Sequence, residues 1–203
     1  MADHQILIVG GGAAGIATAA SLHKRDASLD IAIIEPSTTH YYQPGWTMVG
    51  AGVFKKEETA RSTASVMPSY VTQIRGTVAS FQPDEHSVRL EDGKALTYGS
   101  LVVAAGLKLD WAAIEGLEEA LGRNGVTSNY RYDLAPYTWE LVQKMRGEKA
   151  IFTQPPMPIK CAGAPQKAMY LSCSTWMQVG KIKDIDVSFC YAGPVLFGCA
   201  DYV

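Results

Sequence analysis

Three glycines and one glutamate near the N-terminus have the types and spacing of a nucleotide-binding turn. Gly10, Gly12 and Gly15 satisfy the pattern G-x-G-x-x-G directly after an aliphatic run. In such a turn the first glycine allows a tight reversal, the second lets the backbone approach a pyrophosphate, and the third lets a helix pack closely on the strand. Glu35 follows about 20 residues after Gly15, where a carboxylate accepts hydrogen bonds from an adenosine ribose. A carboxylate there repels a 2′-phosphate, so the pattern indicates FAD or NAD rather than NADP.

The elements that must position this turn are present on both sides of it. Residues 6–9 and 31–34 have the aliphatic character of strands buried on both faces, and residues 13–24 between them predict an alanine-rich helix. This β-α-β unit spans about 30 residues and directs the free N–H groups of the helix toward the phosphates. A glycine turn without a ligand is the alternative, and the complete strand-helix-strand context disfavours it.

Later segments predict a hairpin and the beginning of a second β-α-β unit. A Glu-Asp-Gly turn at residues 91–93 is typical of a hairpin tip. Strands are expected at residues 70–78, 87–90, 94–98 and 101–104, the last of them buried and followed by Ala105 and Gly106. A helix is expected at residues 134–146, and then a strand at 150–153, a helix at 164–179 and a strand at 186–191.

The composition excludes several classes of function. The 203 residues carry 18 Lys and Arg against 20 Asp and Glu, a formal net charge of -2, without the basic excess of a nucleic-acid-binding protein. Hydrophobic residues make up 47% of the chain, but no apolar run approaches the roughly 18–20 residues that cross a bilayer. The first residues resemble neither a signal peptide nor a presequence, so a cytoplasmic location is expected.

Cys161 is the cysteine whose surroundings predict chemistry. The cysteines form no CxxC pair and no zinc spacing, so no metal site is expected. Cys161 lies in a glycine-containing turn before a predicted helix, where the helix dipole favours a thiolate, and Lys160 and Lys167 add positive charge. A thiolate there can attack a sulfur or a flavin, while a structural cysteine is an equal alternative. Buried thiols are the interpretation for the others, Cys173, Cys190 and Cys199.

Three segments make the chain similar to a known enzyme family. They are YYQPGWTMVGAG at residues 41–52, TASVMP at residues 63–68 and KCAGAPQK at residues 160–167. These segments resemble sulfide:quinone oxidoreductase, and most closely the branch that includes the mitochondrial enzymes and their bacterial relatives. Residues 97–106 also resemble the second signature of flavoproteins with two dinucleotide-binding domains, which favours FAD over NAD.

The resemblance implies two Rossmann-like, three-layer α/β folds of the FAD/NAD(P)-binding type, the second incomplete in this chain. The expected domains are an FAD-binding domain with a β-hairpin insertion at residues 1–108, a connecting segment with a helix at 109–149, and the start of a second nucleotide-binding domain at 150–203.

The same resemblance implies an activity and the residues for it. Sulfide is oxidised to sulfane sulfur or polysulfide, and electrons pass through FAD to quinone. Cys161 matches one of the family's two catalytic cysteines. The glycine turn together with the family match gives the expected cofactor-binding residues, which are Gly10, Gly12, Ala13, Ala14, Gly15, Glu35, Gln43, Val78, Ala105 and Gly106.

The resemblance covers about half of such an enzyme. The family's second catalytic cysteine, a late Gly-Asp element and the C-terminal amphipathic helices that reach membrane and quinone would lie beyond Val203. For the full-length parent, the implied location is peripheral, on the cytoplasmic side of a bacterial inner membrane. Apolar surface left uncovered predicts aggregation or homo-oligomer formation for the chain itself.

Two alternative functions stay open at this point. One is an NADH-linked flavin oxidoreductase similar to type II NADH dehydrogenase, which the poor second glycine motif at Gly193 and Gly198 disfavours. The other is an FAD-binding fragment without turnover.

Overall fold

The computed structural model describes residues 2–196, and within them alternating strands and helices confirm the α/β class. The strands are β1 (His4–Val9), β2 (Ile31–Ile34), β3 (Thr39–Tyr41), β4 (Ala60–Ser62), β5 (Val71–Ile74), β6 (Val78–Gln82), β7 (Ser87–Leu90), β8 (Ala95–Val103), β9 (Lys149–Gln154) and β10 (Asp186–Tyr191). The α-helices are α1 (Ala13–Arg25), α2 (Gly45–Gly50), α3 (Thr63–Val66), α4 (Leu117–Ala120), α5 (Ala135–Lys144) and α6 (Gly163–Gln178).

The chain divides into two compact units. The first contains Met1–Tyr42 and Ala60–Lys108, and the second contains Gln43–Thr59 and Leu109–Val203. The domain ranges expected from the sequence stay a prediction; the packing groups Gln43–Thr59 with the C-terminal unit.

The first unit is built on a six-stranded sheet of order β5-β2-β1-β8-β7-β6. Strands β5, β2, β1 and β8 run parallel, whereas β7 pairs antiparallel with both β8 and β6. In the centre Ile8 lies opposite Ile33 on one side and Val102 on the other. The aliphatic runs of β1 and β2 become central strands because apolar side chains on both faces need cover on both faces.

Two core clusters give the first unit three layers. On one face of the parallel strands, Ala19 of α1 packs with Ile8 of β1 and Ile33 of β2. On the other face, Leu7 of β1 shares a cluster with Val88 of the antiparallel strands. Alternate residues of each central strand therefore point to α1 or to the antiparallel layer.

The second unit contains one β-α-β crossover packed against α5. Strands β9 and β10 pair in parallel, and α6 connects them. Val142 of α5, Ala150 of β9 and Trp176 of α6 form the core. Ile151 points to the other face of β9 and is 57% exposed, so that face is uncovered within the described residues.

Most of the predicted elements are confirmed, and three of the predicted strands are corrected. The expected strands at residues 94–98 and 101–104 form the single strand β8, because Tyr98 and Ser100 both pair with β1 and leave no break between them. Its last residue, Val103, is 60% exposed rather than buried. The expected strand at 70–78 is two strands, since the chain leaves the sheet after Ile74 and pairs with a different neighbour from Val78 onward.

No helix in residues 2–196 has the length and apolar character that crossing a membrane requires.

Candidate functional site

The glycine turn of the first unit has the geometry that its sequence predicts. Gly10 has a φ of +107°, and a Cβ there would lie 2.3 Å from the Ala104 carbonyl oxygen. A Cβ on Gly15 would lie 1.9 Å from the Gly10 carbonyl oxygen, so α1 packs too close to the turn for any side chain. A Cβ on Gly12 would meet no atom within 4 Å, so the space beside the turn is open to a ligand.

Helix α1 begins at this turn with its first N–H groups uncapped by any side chain. Gly12 is the N-cap and makes no side-chain hydrogen bond, and the helix continues with Ala13 and Ala14, which are exposed. The free N–H groups and positive dipole end of a helix stabilise phosphate groups. The open side of the turn therefore fits a pyrophosphate.

The Glu35 carboxylate is fixed beside the turn by two backbone donors. The Gly11 N–H donates to its Oε2 at 2.7 Å, and the Ser37 N–H donates to its Oε1 at 2.7 Å. A carboxylate oxygen accepts more than one hydrogen bond, so each retains a lone pair for a ribose hydroxyl. His40 adds a contact that the sequence did not predict, with its Nδ1 3.4 Å from the Gly11 carbonyl oxygen.

The second flavoprotein signature meets the glycine turn at the end of β8. The Ala104 N–H donates to the Val9 carbonyl at 2.7 Å. A Cβ on Gly10 would be 3.1 Å from the Ala105 Cα, so these two segments touch through their backbones. Gly106 follows with a φ of +78° and open space at its Cβ position. The structure thus brings together Gly10, Gly12, Gly15, Glu35 and the segment Ala105 to Gly106.

Two further expected cofactor residues, Val78 and Gln43, are described by the contacts of their own elements. Val78 begins β6 opposite Leu90 and packs against the core cluster of the antiparallel layer. Gln43 belongs to the second unit, where its carbonyl accepts from the Trp46 N–H at 3.0 Å at the start of α2.

In the second unit, Cys161 is a free, half-buried thiol close to the N-terminus of α6. Ala162 is the N-cap of this 16-residue helix and gives it no side-chain cap. The N-terminus of a helix is the end at which negative charge is stabilised. Lys160 and Lys167, expected to add positive charge, are both exposed.

Tyr130 is a neighbour of Cys161 that the sequence did not reveal. Its hydroxyl donates to the Cys161 carbonyl at 3.0 Å, across 31 residues of chain. No periodicity or motif connects positions so far apart, so only the fold identifies this pair.

The other cysteines differ in their surroundings. Cys173 packs against the core of the second unit, and burial raises the pKa of its thiol. Cys190 is exposed, which corrects the expectation of a buried thiol. It pairs with Thr153 on the face of β9 and β10 opposite α6, which other described elements leave uncovered. Cys199 and Gly198 lie outside the described residues.

Comparisons with known proteins agree with this geometry. The family model described as pyridine nucleotide-disulphide oxidoreductase matches residues 4–140. The chain is 42% identical over 201 residues to the mitochondrial sulfide:quinone oxidoreductase of Dictyostelium discoideum, covering 98% of this chain and 44% of that protein. It is 41% identical over 199 residues to the mitochondrial sulfide:quinone oxidoreductase of Mus musculus, covering 98% of this chain and 44% of that protein.

A solved structure extends the likeness to three dimensions. The X-ray structure of the sulfide:quinone oxidoreductase from the hyperthermophilic bacterium Aquifex aeolicus matches with a TM-score of 0.77 and 26% identity, covering 95% of this chain and 44% of that chain. The chain therefore spans less than half the length of each of these proteins. Together the family model and this structure support FAD as the cofactor.

Proposed function

Because the chain belongs to the pyridine nucleotide-disulphide oxidoreductase family, we propose that it contains the FAD-binding turn and one redox cysteine of a sulfide:quinone oxidoreductase. Sulfide loses two electrons to become sulfane sulfur, and a quinone receives them. FAD, when bound, is the carrier that accepts both electrons and passes them on. The observation that carries this proposal is a free, half-buried Cys161 at a helix N-terminus, in a chain 42% identical to a sulfide:quinone oxidoreductase.

We assign the cofactor to the first unit on the contacts of its glycine turn. The uncapped N–H groups at the start of α1 would hold the pyrophosphate, and Glu35 would accept the ribose hydroxyls. The backbone of Ala105 and Gly106 would line the same cofactor. Family correspondence adds Val78 and Gln43 to this set, as well as Ala13 and Ala14.

Cys161 has the role of the sulfur-binding thiol in this proposal. The Cys161 sulfur would be bonded to a sulfane sulfur, and sulfide would attack that sulfane sulfur as a nucleophile. A new S–S bond would form as the bond to Cys161 breaks, and Cys161 would leave as the thiolate. The uncapped N-terminus of α6 would stabilise the thiolate that leaves when the sulfur bridge opens.

For the full-length protein we propose a peripheral location on the cytoplasmic side of a bacterial inner membrane. The relatives include mitochondrial proteins and a protein of Aquifex aeolicus, and the names of both kinds give quinone as a substrate. Segments outside this chain would make the membrane contact, and homo-oligomers are proposed for the chain itself.

A spectroscopic titration tests the proposed function. The chain is purified, incubated with FAD, freed of excess flavin, and titrated anaerobically with sulfide and then with a short-chain quinone. The expected result is a bound-flavin spectrum that sulfide bleaches and quinone restores. Cys161→Ser should abolish sulfide-driven bleaching and leave flavin binding unchanged, whereas the exposed Cys190→Ser should bleach like wild type.

The outcomes separate the competing functions. Bleaching by NADH instead of sulfide would favour a type II NADH dehydrogenase-like enzyme. Bound flavin that neither reductant bleaches would favour an FAD-binding fragment without turnover. If Cys161→Ser bleaches as fast as wild type, this cysteine has no part in the reaction.

A further inference from the structure

The Cys161 carbonyl oxygen accepts two hydrogen bonds from different parts of the second unit. The Ala164 N–H donates at 3.1 Å from the first turn of α6, and the Tyr130 hydroxyl donates at 3.0 Å. The first bond closes the turn into α6. The second ties that turn to a segment that precedes α5.

Tyr130 is itself held in place by its own segment. Its N–H donates to the Ser128 Oγ at 3.1 Å. Next to it, the Thr127 Oγ1 lies 3.2 Å from the Leu134 carbonyl oxygen and 2.8 Å from the Thr138 Oγ1, which fastens this turn to the start of α5. The hydroxyl of Tyr130 therefore comes from a fixed position rather than from a free loop.

The loop that carries Cys161 has little regular structure of its own. Residues 155–160 belong to no helix or strand, and Pro155, Pro156 and Pro158 lack the N–H group that would hold a turn. Among the described residues, the two hydrogen bonds that fix this loop next to α6 are those that the Cys161 carbonyl accepts from the Ala164 N–H and from the Tyr130 hydroxyl.

The Tyr130 hydroxyl remains a donor at neutral pH. Burial raises the pKa of Tyr130 above its usual value of 10.0, and a thiolate at Cys161 raises it further, against a smaller opposing contribution from the Cys161 backbone.

We propose that Tyr130 is a positioning residue for Cys161: its hydroxyl holds the cysteine turn at the N-terminus of α6 and so sets the reactivity of the thiolate. The inference rests on the proposed function in that Cys161 is the reactive thiol. Without this hydrogen bond, the turn can move away from the helix terminus, and the favourable field of the helix dipole at a thiolate weakens with distance.

Site-resolved alkylation of the thiols tests this proposal. Wild type and Tyr130→Phe are treated with iodoacetamide between pH 5 and pH 10, and modification at each cysteine is followed by peptide mass spectrometry. In Tyr130→Phe, the pH of half-maximal rate at Cys161 should rise by about 0.5, and its rate at pH 7 should fall about threefold. The exposed Cys190 is the internal reference and should not change.

Tyr137→Phe is the matched control, because the Tyr137 hydroxyl also holds a turn, accepting from the Gly125 N–H at 3.2 Å. It should leave the Cys161 profile unchanged. An unchanged Cys161 profile in Tyr130→Phe would overturn the proposal, and so would an equal shift at Cys190 or in Tyr137→Phe. If Tyr130→Phe does not fold, Ser128→Ala replaces it as the test variant, because it removes the acceptor of the Tyr130 N–H. The Cys161 profile should then shift in the same direction by a smaller amount.

The test is independent of the proposed enzyme activity. Alkylation needs neither sulfide nor flavin, so a shifted Cys161 profile would stand even if sulfide failed to bleach the flavin. Sulfide-driven bleaching together with an unshifted profile would overturn the role of Tyr130 alone.

Discussion

Gly12 and Gly15 are three positions apart in one turn, yet the structure gives them different requirements. Gly15 is needed by the fold, since its Cβ would lie 1.9 Å from a backbone oxygen. Gly12 has an ordinary φ of -75° and open space at its Cβ position. The sequence motif does not distinguish the two glycines. Their surroundings do, because Gly15 is required for packing and Gly12 leaves space for a ligand.

Gly15→Ala should destabilise the first unit, and Gly12→Ala should weaken FAD binding alone. The backbone must shift to admit a methyl group at position 15, which we expect to cost about 2–3 kcal/mol in the free energy of unfolding despite the better helix propensity of alanine. Gly12→Ala should change it by less than about 0.5 kcal/mol. Urea denaturation without flavin measures the free energy of unfolding of both variants.

A flavin titration followed by fluorescence quenching measures the Kd for FAD of the same two variants. Gly12→Ala should raise the Kd for FAD about tenfold or more, because the methyl group occupies the space where the pyrophosphate would approach. Wild-type affinity in Gly12→Ala would contradict the assignment of the cofactor to this turn. Wild-type stability in Gly15→Ala would contradict the packing.

At the scale of elements, the predicted elements are those whose residues carry a strong local pattern. The predicted bounds of residues 31–34 and 186–191 are the observed ones, because the first is an aliphatic run between charged residues and the second alternates polar and apolar residues. Helix α2 is not predicted from the sequence, because its six residues begin and end with glycine and show no helical periodicity. Strands β3 and β4 were missed because each is three residues long and its partner is distant in sequence.

In the site, too, only the features that a local sequence pattern carries are predicted. The glycine turn and Glu35 follow from local spacing, and the structure confirms that they lie together. The exposure of Cys190 and the bond from Tyr130 to Cys161 depend on which elements pack around them, and neighbouring residues carry no signal for that.

Asp3 joins the beginning of β1 to β8, and this connection should make stability depend on pH. Its Oδ2 accepts from the Thr97 N–H and from the Thr97 Oγ1 at 2.8 Å each. These bonds to Thr97, the backbone bond first, lower the pKa of Asp3 below its usual value of 3.8. A lowered folded-state pKa stabilises the fold above the unfolded-state value, and this stabilisation is lost as pH falls through the folded-state value.

Asp3→Asn should therefore lower the melting temperature at pH 7, and the difference from wild type should narrow below pH 3.8. Thermal unfolding followed by circular dichroism across pH 2–8 measures it. The exposed Asp84→Asn serves as control and should melt like wild type at pH 7. A difference in melting temperature that does not depend on pH would show that the charge of the Asp3 carboxylate does not contribute to stability.

Trp176 fastens α6 to α5 in the second unit. The side chain is 2% exposed, and its Nε1 donates to the Val142 carbonyl at 2.9 Å. Val142 lies in the last turn of α5, where carbonyl groups have no partner within the helix. The indole therefore fills the core and satisfies a carbonyl at a helix end.

Trp176→Phe should lower the free energy of unfolding by about 2–3 kcal/mol, because it removes the donor and leaves a void. Urea denaturation followed by far-UV circular dichroism measures the change. Met177→Ala, at a neighbouring position that is 65% exposed, should stay within about 0.5 kcal/mol of wild type. Equal stability of Trp176→Phe and wild type would rule out this packing role.

At the scale of the whole molecule, uncovered apolar surface should make the purified chain self-associate. Ile151 on the open face of β9 and Leu107 after β8 are 57% and 71% exposed. Parallel strands normally have both faces covered, so an open face favours association.

Analytical ultracentrifugation between about 1 and 100 μM tests this expectation. Wild type should form dimers or larger species, and Ile151→Thr, which retains strand propensity, should shift the distribution toward monomer. Ile114→Thr, at an exposed position outside the sheets, should associate like wild type. A wild-type chain that is monomeric throughout the range would contradict the expectation.

The continuity of β8 has a consequence for the variation that this protein family can tolerate. One uninterrupted strand of nine residues runs from the hairpin to the turn that meets Gly10. Inserting or deleting a residue within Ala95–Val103 would reverse the faces of every later side chain and displace Ala105 from the glycine turn. Changes of length should therefore accumulate in the exposed tip at residues 91–94, where the chain can lengthen without altering the contact of Ala105 with the glycine turn.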